Sequence, residues 1–133
     1  MVDKKVARND NLIRLCGGVV VCAAALVVSV LEVFLVPLRL WYSYVPVAAM
    51  LAVAGNIAFP IAMRYVTRGR LVVMLPGLIW FVIAIIGTSP TMEGDLLIPA
   101  IWPGIAMLLA GAVTVTVVGY VVMSEGRVHS SYL

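Results

Sequence analysis

Charge is missing from four long stretches of this chain. Between Arg14 and Glu32 lie 17 uncharged residues, between Arg39 and Arg64 there are 24, between Arg70 and Glu93 there are 22, and between Asp95 and Glu125 there are 29. A helix needs roughly 20 apolar residues to cross a hydrocarbon core about 30 Å thick. Sixty-four per cent of the residues are hydrophobic and 11% charged, whereas soluble domains carry about a quarter of their residues charged. The surrounding medium is therefore expected to be lipid, in which only helices or closed barrels satisfy the backbone. Runs this long and uniformly apolar lack the two-residue alternation of barrel strands. The expected fold is an all-α membrane protein, a four-transmembrane-helix antiparallel bundle forming one domain over residues 1–133.

The spans are expected at about 12–36, 44–63, 71–88 and 96–124, with short tails. Pro37 closes the first, because it has no N–H to continue a helix. Trp41, Tyr42 and Tyr44 then supply the aromatic rings that favour headgroup level. Pro76 falls in the first turns of the third helix, where proline costs little. Pro99 and Pro103 predict a kinked or tilted start to the fourth.

The basic residues are distributed unevenly. Lys4, Lys5, Arg8 and Arg14 precede the first span; Arg64, Arg68 and Arg70 fall in the second loop; Arg127 follows the fourth span; only Arg39 lies in the other two loops. With four spans this is 8 against 1, which predicts both termini and the second loop in the cytoplasm of a multi-pass plasma-membrane protein. The apolar run continues through Leu31 without a polar break, so the first span is expected to be retained rather than cleaved as a signal peptide. The net charge of +3 belongs to these helix ends. Arg64, Arg68 and Arg70 are thus candidates for lipid headgroups, and no nucleic-acid partner is expected.

In lipid, helices associate through small residues that let backbones approach. Gly18, Cys22, Ala25, Ser29 and Glu32 step by 4, 3, 4 and 3 and so share one face of the first helix. Ala49, Ala52 and Asn56 do the same on the second, as do Gly104, Gly111 and Gly119 along the fourth. These are the expected packing seams, with docking to another membrane protein as the rival use. Cys16 and Cys22 are six residues apart on one helix, which turns them to different faces and rules out a mutual disulfide.

Three polar side chains stand out within or beside the spans. Glu32 lies on the small-residue face, where a carboxylate is costly and a functional role is the default reading. Arg39, seven residues on across Pro37, is its expected ion-pair partner; contact with a partner chain and proton or cation coupling are the rival readings. Asn56 is an amide deep in the second span, expected to bond another helix, with a substrate contact as the alternative. Glu93 and Asp95 in the third loop could hold a hard cation with Glu32 but are expected to be solvated, and His129 stands in a polar tail. The chain has no G-x-S-x-G, H-E-x-x-H, P-loop or Cys/His cluster, so neither enzymatic activity, a metal site nor a cofactor is expected.

Leu31-Glu32-Val33 is similar to the first helix of small multidrug-resistance transporters, four-helix proteins of about this length with an essential glutamate there. Their glutamate lies deeper, and their dual insertion goes with little charge bias. Gly55-Asn56 and Arg64-Tyr65 bring four-helix fluoride channels to mind, but the phenylalanine-threonine filter motif of those channels is absent. A broader resemblance runs from Val36 to Gly111: Val36-Pro-Leu-Arg39, Leu51-Ala-Val-Ala-Gly-Asn56 with Pro60, Arg68-Gly-Arg70 with Leu75-Pro76 and Trp80, and Gly94-Asp95-Leu-Leu-Ile-Pro99. Here the chain resembles an uncharacterised family of small four-helix membrane proteins from actinobacteria. That resemblance implies plasma-membrane residence and assigns no activity.

With so little chain outside the spans, the expected role is an accessory or scaffolding subunit of a larger membrane assembly, its partners the bilayer and other integral membrane chains. The alternative is a small oligomeric transporter or channel using Glu32 and Asn56, of unknown substrate. A lipid-binding helper using the basic second loop is a third possibility.

Overall fold

The computed structural model describes residues 2–40, 43–67 and 69–128. Four α-helices pack into a bundle: α1 (Val2–Leu35), α2 (Val47–Val66), α3 (Leu75–Thr88) and α4 (Trp102–Val128). Two short strands, β1 (Arg39–Leu40) and β2 (Ser43–Tyr44), join α1 to α2. They pair antiparallel, with Arg39 opposite Tyr44 and Leu40 opposite Ser43.

Each helix differs from its expected range for a local reason. Nothing in Val2–Asn11 breaks a helix, so α1 continues through the charged segment to 34 residues, about 51 Å at 1.5 Å per residue. Asp10 and Arg14 pair across one turn at 3.6 Å. The hairpin takes up Ser43–Tyr44, and Pro46 caps α2, which therefore begins at Val47. Thr67 ends α2 by donating both its N–H and its hydroxyl to the Met63 carbonyl, each at 2.8 Å.

Pro76 has no N–H to offer the carbonyl four residues back, so Leu75 N–H bonds Val72 O and a 3-10 turn (Val72–Met74) leads into α3. Turn and helix together reach about 27 Å at their respective rises. By contrast, α1, α2 and α4 each contain a stretch long and apolar enough to cross a membrane. The expected start of α4 at Leu96 gives way to an irregular segment. Pro99 cannot donate, Ile98 N–H bonds back to Gly87 O at 2.7 Å, and the helix starts only at Trp102, with Pro103 in its first turn. In the loop before it, Gly94 has φ 85°, a backbone conformation suited to glycine.

Helix α2 is central, packing broadly on α1 and α4, while α1 also packs on α3. Close approaches give the directions. Gly18 meets Met63 and Thr67 while Glu32 meets Gly55, so α1 and α2 are antiparallel. Met74 meets Gly119, Val115 meets Gly77 and Trp80 meets Gly111, so α3 and α4 are antiparallel as well. Val33, Val36, Ala48, Ala49, Ala52, Trp80, Ala84, Ile98 and Met107 form the core.

Large apolar side chains cover the outside. Val19, Leu31, Phe34, Ile85 and Val113 are all more than half exposed. An apolar exterior this extensive exceeds what a monomer in water tolerates. Together with the three long apolar helices it marks a protein associated with a lipid bilayer.

Candidate functional site: a carboxylate held among four helices

On α1 the small-residue seam is the face turned inward: Gly18, Ala25, Ser29 and Glu32 are buried and Cys22 is half-buried. Ser29 satisfies its hydroxyl by donating to Ala25 O at 2.8 Å, leaving Glu32 as the acidic carboxyl on that face. Glu32 is only 1% exposed. A carboxylate so deeply buried needs hydrogen bonds or a counter-charge.

Trp80 on α3 supplies the hydrogen bond. Its indole N–H donates to Glu32 Oε2 at 2.8 Å, and the indole is 3% exposed. The other carboxylate oxygen, Oε1, stands 3.5 Å from where a Cβ on Gly55 of α2 would sit. The six-membered ring of the indole lies against Gly111 of α4, closer than any side chain there would permit. Each helix thus contributes one residue to a continuous line: Gly55, Glu32, Trp80 and Gly111. Gly111 matters because the indole occupies the space that a side chain there would fill, whereas a Cβ at Gly55 would meet the carboxylate at ordinary contact distance.

Arg39 is not the partner of Glu32. The hairpin register sets it beside Tyr44, its guanidinium 4.3 Å above the phenol ring and donating to the phenol oxygen. Cation–π attraction and an exposed hydrogen bond keep it at the surface. Among the described residues no salt bridge reaches Glu32, whose donor is the uncharged indole.

Asn56 is buried too, at 4% exposure, but belongs to a different place. It lines a small cavity with Pro60 of α2, Met74 and Gly77 at the start of α3, and Val115, Val118 and Gly119 of α4. Glu32 does not line that cavity, so the structure does not join the two into one site. Asn56 Nδ2 has no hydrogen-bond partner among the described residues.

Ala49 and Ala52 are buried on α2, and Gly104, Gly111 and Gly119 on α4. Gly104 sits 2.5 Å, measured from its would-be Cβ, from the Pro99 carbonyl oxygen, and Gly119 likewise sits 2.6 Å from the Met74 methyl. Arg64 and Arg70 are exposed at the end of the bundle away from the hairpins, and Arg68 lies outside the described residues, as do Trp41, Tyr42 and His129. Glu93 and Asp95 are exposed in the third loop. Among the described residues no three His, Cys, Asp or Glu side chains converge as metal ligands would.

Sequence reasoning placed no function on Trp80. A signal was present: it stands well inside the third uncharged stretch, away from the span ends where Trp41 and Trp102 lie. An indole N–H at that depth requires an acceptor, and Glu32 is the acidic side chain within reach of a span interior.

Helices α3 and α4 approach closely at few points. Between them an open apolar cleft is lined by Trp80, Phe81, Ala84, Ile85, Leu108 and Ala112 among others. The indole bound to Glu32 is therefore also part of the wall of an opening on the lipid-facing side. No family model, curated protein or solved structure matches this chain.

Proposed function

We propose that this chain is a small proton- or cation-coupled transporter of the plasma membrane, crossing it four times with both termini in the cytoplasm and working as an oligomer. Glu32 is the coupling group and Trp80 the residue that positions it. The observation that carries the reading is a buried carboxylate hydrogen-bonded by an indole and without a salt bridge among the described residues. Charge at that depth is tolerated when a proton or a cation accompanies it. The α3/α4 cleft supports access for an amphiphilic cation, because its wall includes the indole, whose ring face attracts cations. The 8-to-1 distribution of Lys and Arg supports the orientation.

Reconstituted vesicles with an internal pH dye test this. Adding a lipophilic organic cation outside is expected to drive proton movement in the wild type and none in Glu32→Gln. Equal movement in both, or none in either, overturns the reading.

The accessory-subunit role, with other integral membrane chains as partners, is the second reading. It is favoured by the filled interior: Trp80 closes on Gly111 and Met74 on Gly119, which leaves little room for a path through a single copy. Purification in mild detergent separates the two. A stoichiometric membrane partner supports the accessory role, and homo-oligomers alone support transport.

A further inference from the structure

We infer that the cavity beside Asn56 is a binding site for one water molecule, held inside the bundle between α2, α3 and α4. The inference is independent of any role for Glu32, which does not line the cavity. Asn56 is 4% exposed and its Nδ2 has no protein partner among the described residues. A buried donor left unpaired is destabilising, and lipid offers it nothing.

The same turn of α2 also creates an acceptor. Pro60 lies within the helix four residues after Asn56 and has no N–H to give the Asn56 carbonyl. One residue therefore leaves both a side-chain donor and a main-chain acceptor without their usual helical or interhelical partners. Asn56 and Pro60 both line the cavity. The free space at its centre admits about one water-sized molecule.

The remaining walls, Met74, Gly77, Val115, Val118 and Gly119, are apolar or glycine, so they contribute shape and no charged group. That favours a neutral occupant over an ion. Water can accept from Nδ2–H and donate to the freed carbonyl, whereas a monatomic anion could only accept and a metal cation would be repelled by the amide hydrogens. At Gly77 and Gly119 the helices approach closely, which bounds the cavity tightly: a Cβ at Gly77 would come 3.1 Å from Val115, and one at Gly119 would come 2.6 Å from the Met74 methyl.

Nuclear magnetic resonance on the full chain in lipid nanodiscs tests this without any substitution. Gly55-Asn56 is the chain's one Gly-Asn pair, so carbonyl-13C glycine with 15N-asparagine identifies the Asn56 backbone amide, from which through-bond correlation within the residue assigns its side-chain NH2. The expected result is a cross-peak between the Asn56 side-chain NH2 and the water frequency, with the sign of a long-lived contact. Asn9 and Asn11, both exposed, are expected to show only the exchange-dominated signal of bulk water. A cross-peak from Asn56 to lipid acyl protons, or none to water, overturns the inference.

Discussion

Trp80 Nε1 lies 2.8 Å from Glu32 Oε2, a hydrogen bond joining residues 48 positions apart and tying α3 to α1. Both side chains are almost wholly buried, so loss of either leaves the other without the partner that offsets its burial. Double-mutant cycles on hydrogen bonds inside membrane proteins average about 0.6 kcal/mol and reach about 1.7 kcal/mol. Trp80→Phe and Glu32→Leu, singly and together, are expected to couple near the upper part of that range, because the acceptor is a carboxylic group. Reversible unfolding in mixed micelles measures it. Additivity within about 0.3 kcal/mol would show that the pair carries no mutual energy.

Arg39 gives the contrasting case. It is exposed and engaged with Tyr44, and an exposed cation–π contact is worth about 0.5–1 kcal/mol. Arg39→Ala is therefore expected to lower stability by no more than about 1 kcal/mol and to leave the Glu32 environment untouched. The measurement is the same unfolding assay in the Glu32→Leu background. If Arg39 neutralised Glu32, the cost of Arg39→Ala would shrink markedly once the carboxylate was gone; here it is expected to stay constant.

Those two residues also show how far the chain could be read before its fold was known. The inward face of α1 was legible, because small residues spaced by 3 and 4 can approach another backbone and the rest of the helix is bulky. The partner of Glu32 was not. Arg39 is near it along the chain, but Pro37 and the hairpin register turn the guanidinium onto Tyr44. Trp80 is distant in sequence and reaches Glu32 only because α1 packs on α3. A similar difference separates hydropathy from helix. Residues 96–101 carry no charge and continue the apolar run of α4, yet Pro99 and the Ile98–Gly87 hydrogen bond hold them outside it. Apolar length measures what prefers lipid; proline and hydrogen-bond supply decide what is helical.

Glycine substitutions separate lack of space from backbone strain. At Gly111 a methyl group would press into the Trp80 indole, which cannot withdraw without lengthening its bond to Glu32. Overpacking of this kind costs about 1–3 kcal/mol, and Gly111→Ala is expected at the top of that range. Gly94→Ala meets nothing within 4 Å, but its φ of 85° makes a side chain unfavourable by about 1–2 kcal/mol. The two should differ in a second readout. Gly111→Ala is expected to shift near-ultraviolet circular dichroism of the indole, while Gly94→Ala leaves that spectrum unchanged.

Insertion direction is the last expectation open to a direct test. Loops and tails rich in Lys and Arg are retained in the cytoplasm, so the side with eight basic residues is expected there. Met92 is fully exposed at the tip of the third loop, and Asn9 is exposed on the N-terminal extension of α1. In a chain carrying Cys16→Ala and Cys22→Ala, the variants Met92→Cys and Asn9→Cys each offer one thiol to a membrane-impermeant maleimide. Intact cells are expected to label Met92→Cys alone, with Asn9→Cys reacting only after lysis. The reverse pattern would invert the orientation, and labelling of both from outside would mean that the segment between them does not cross an odd number of times.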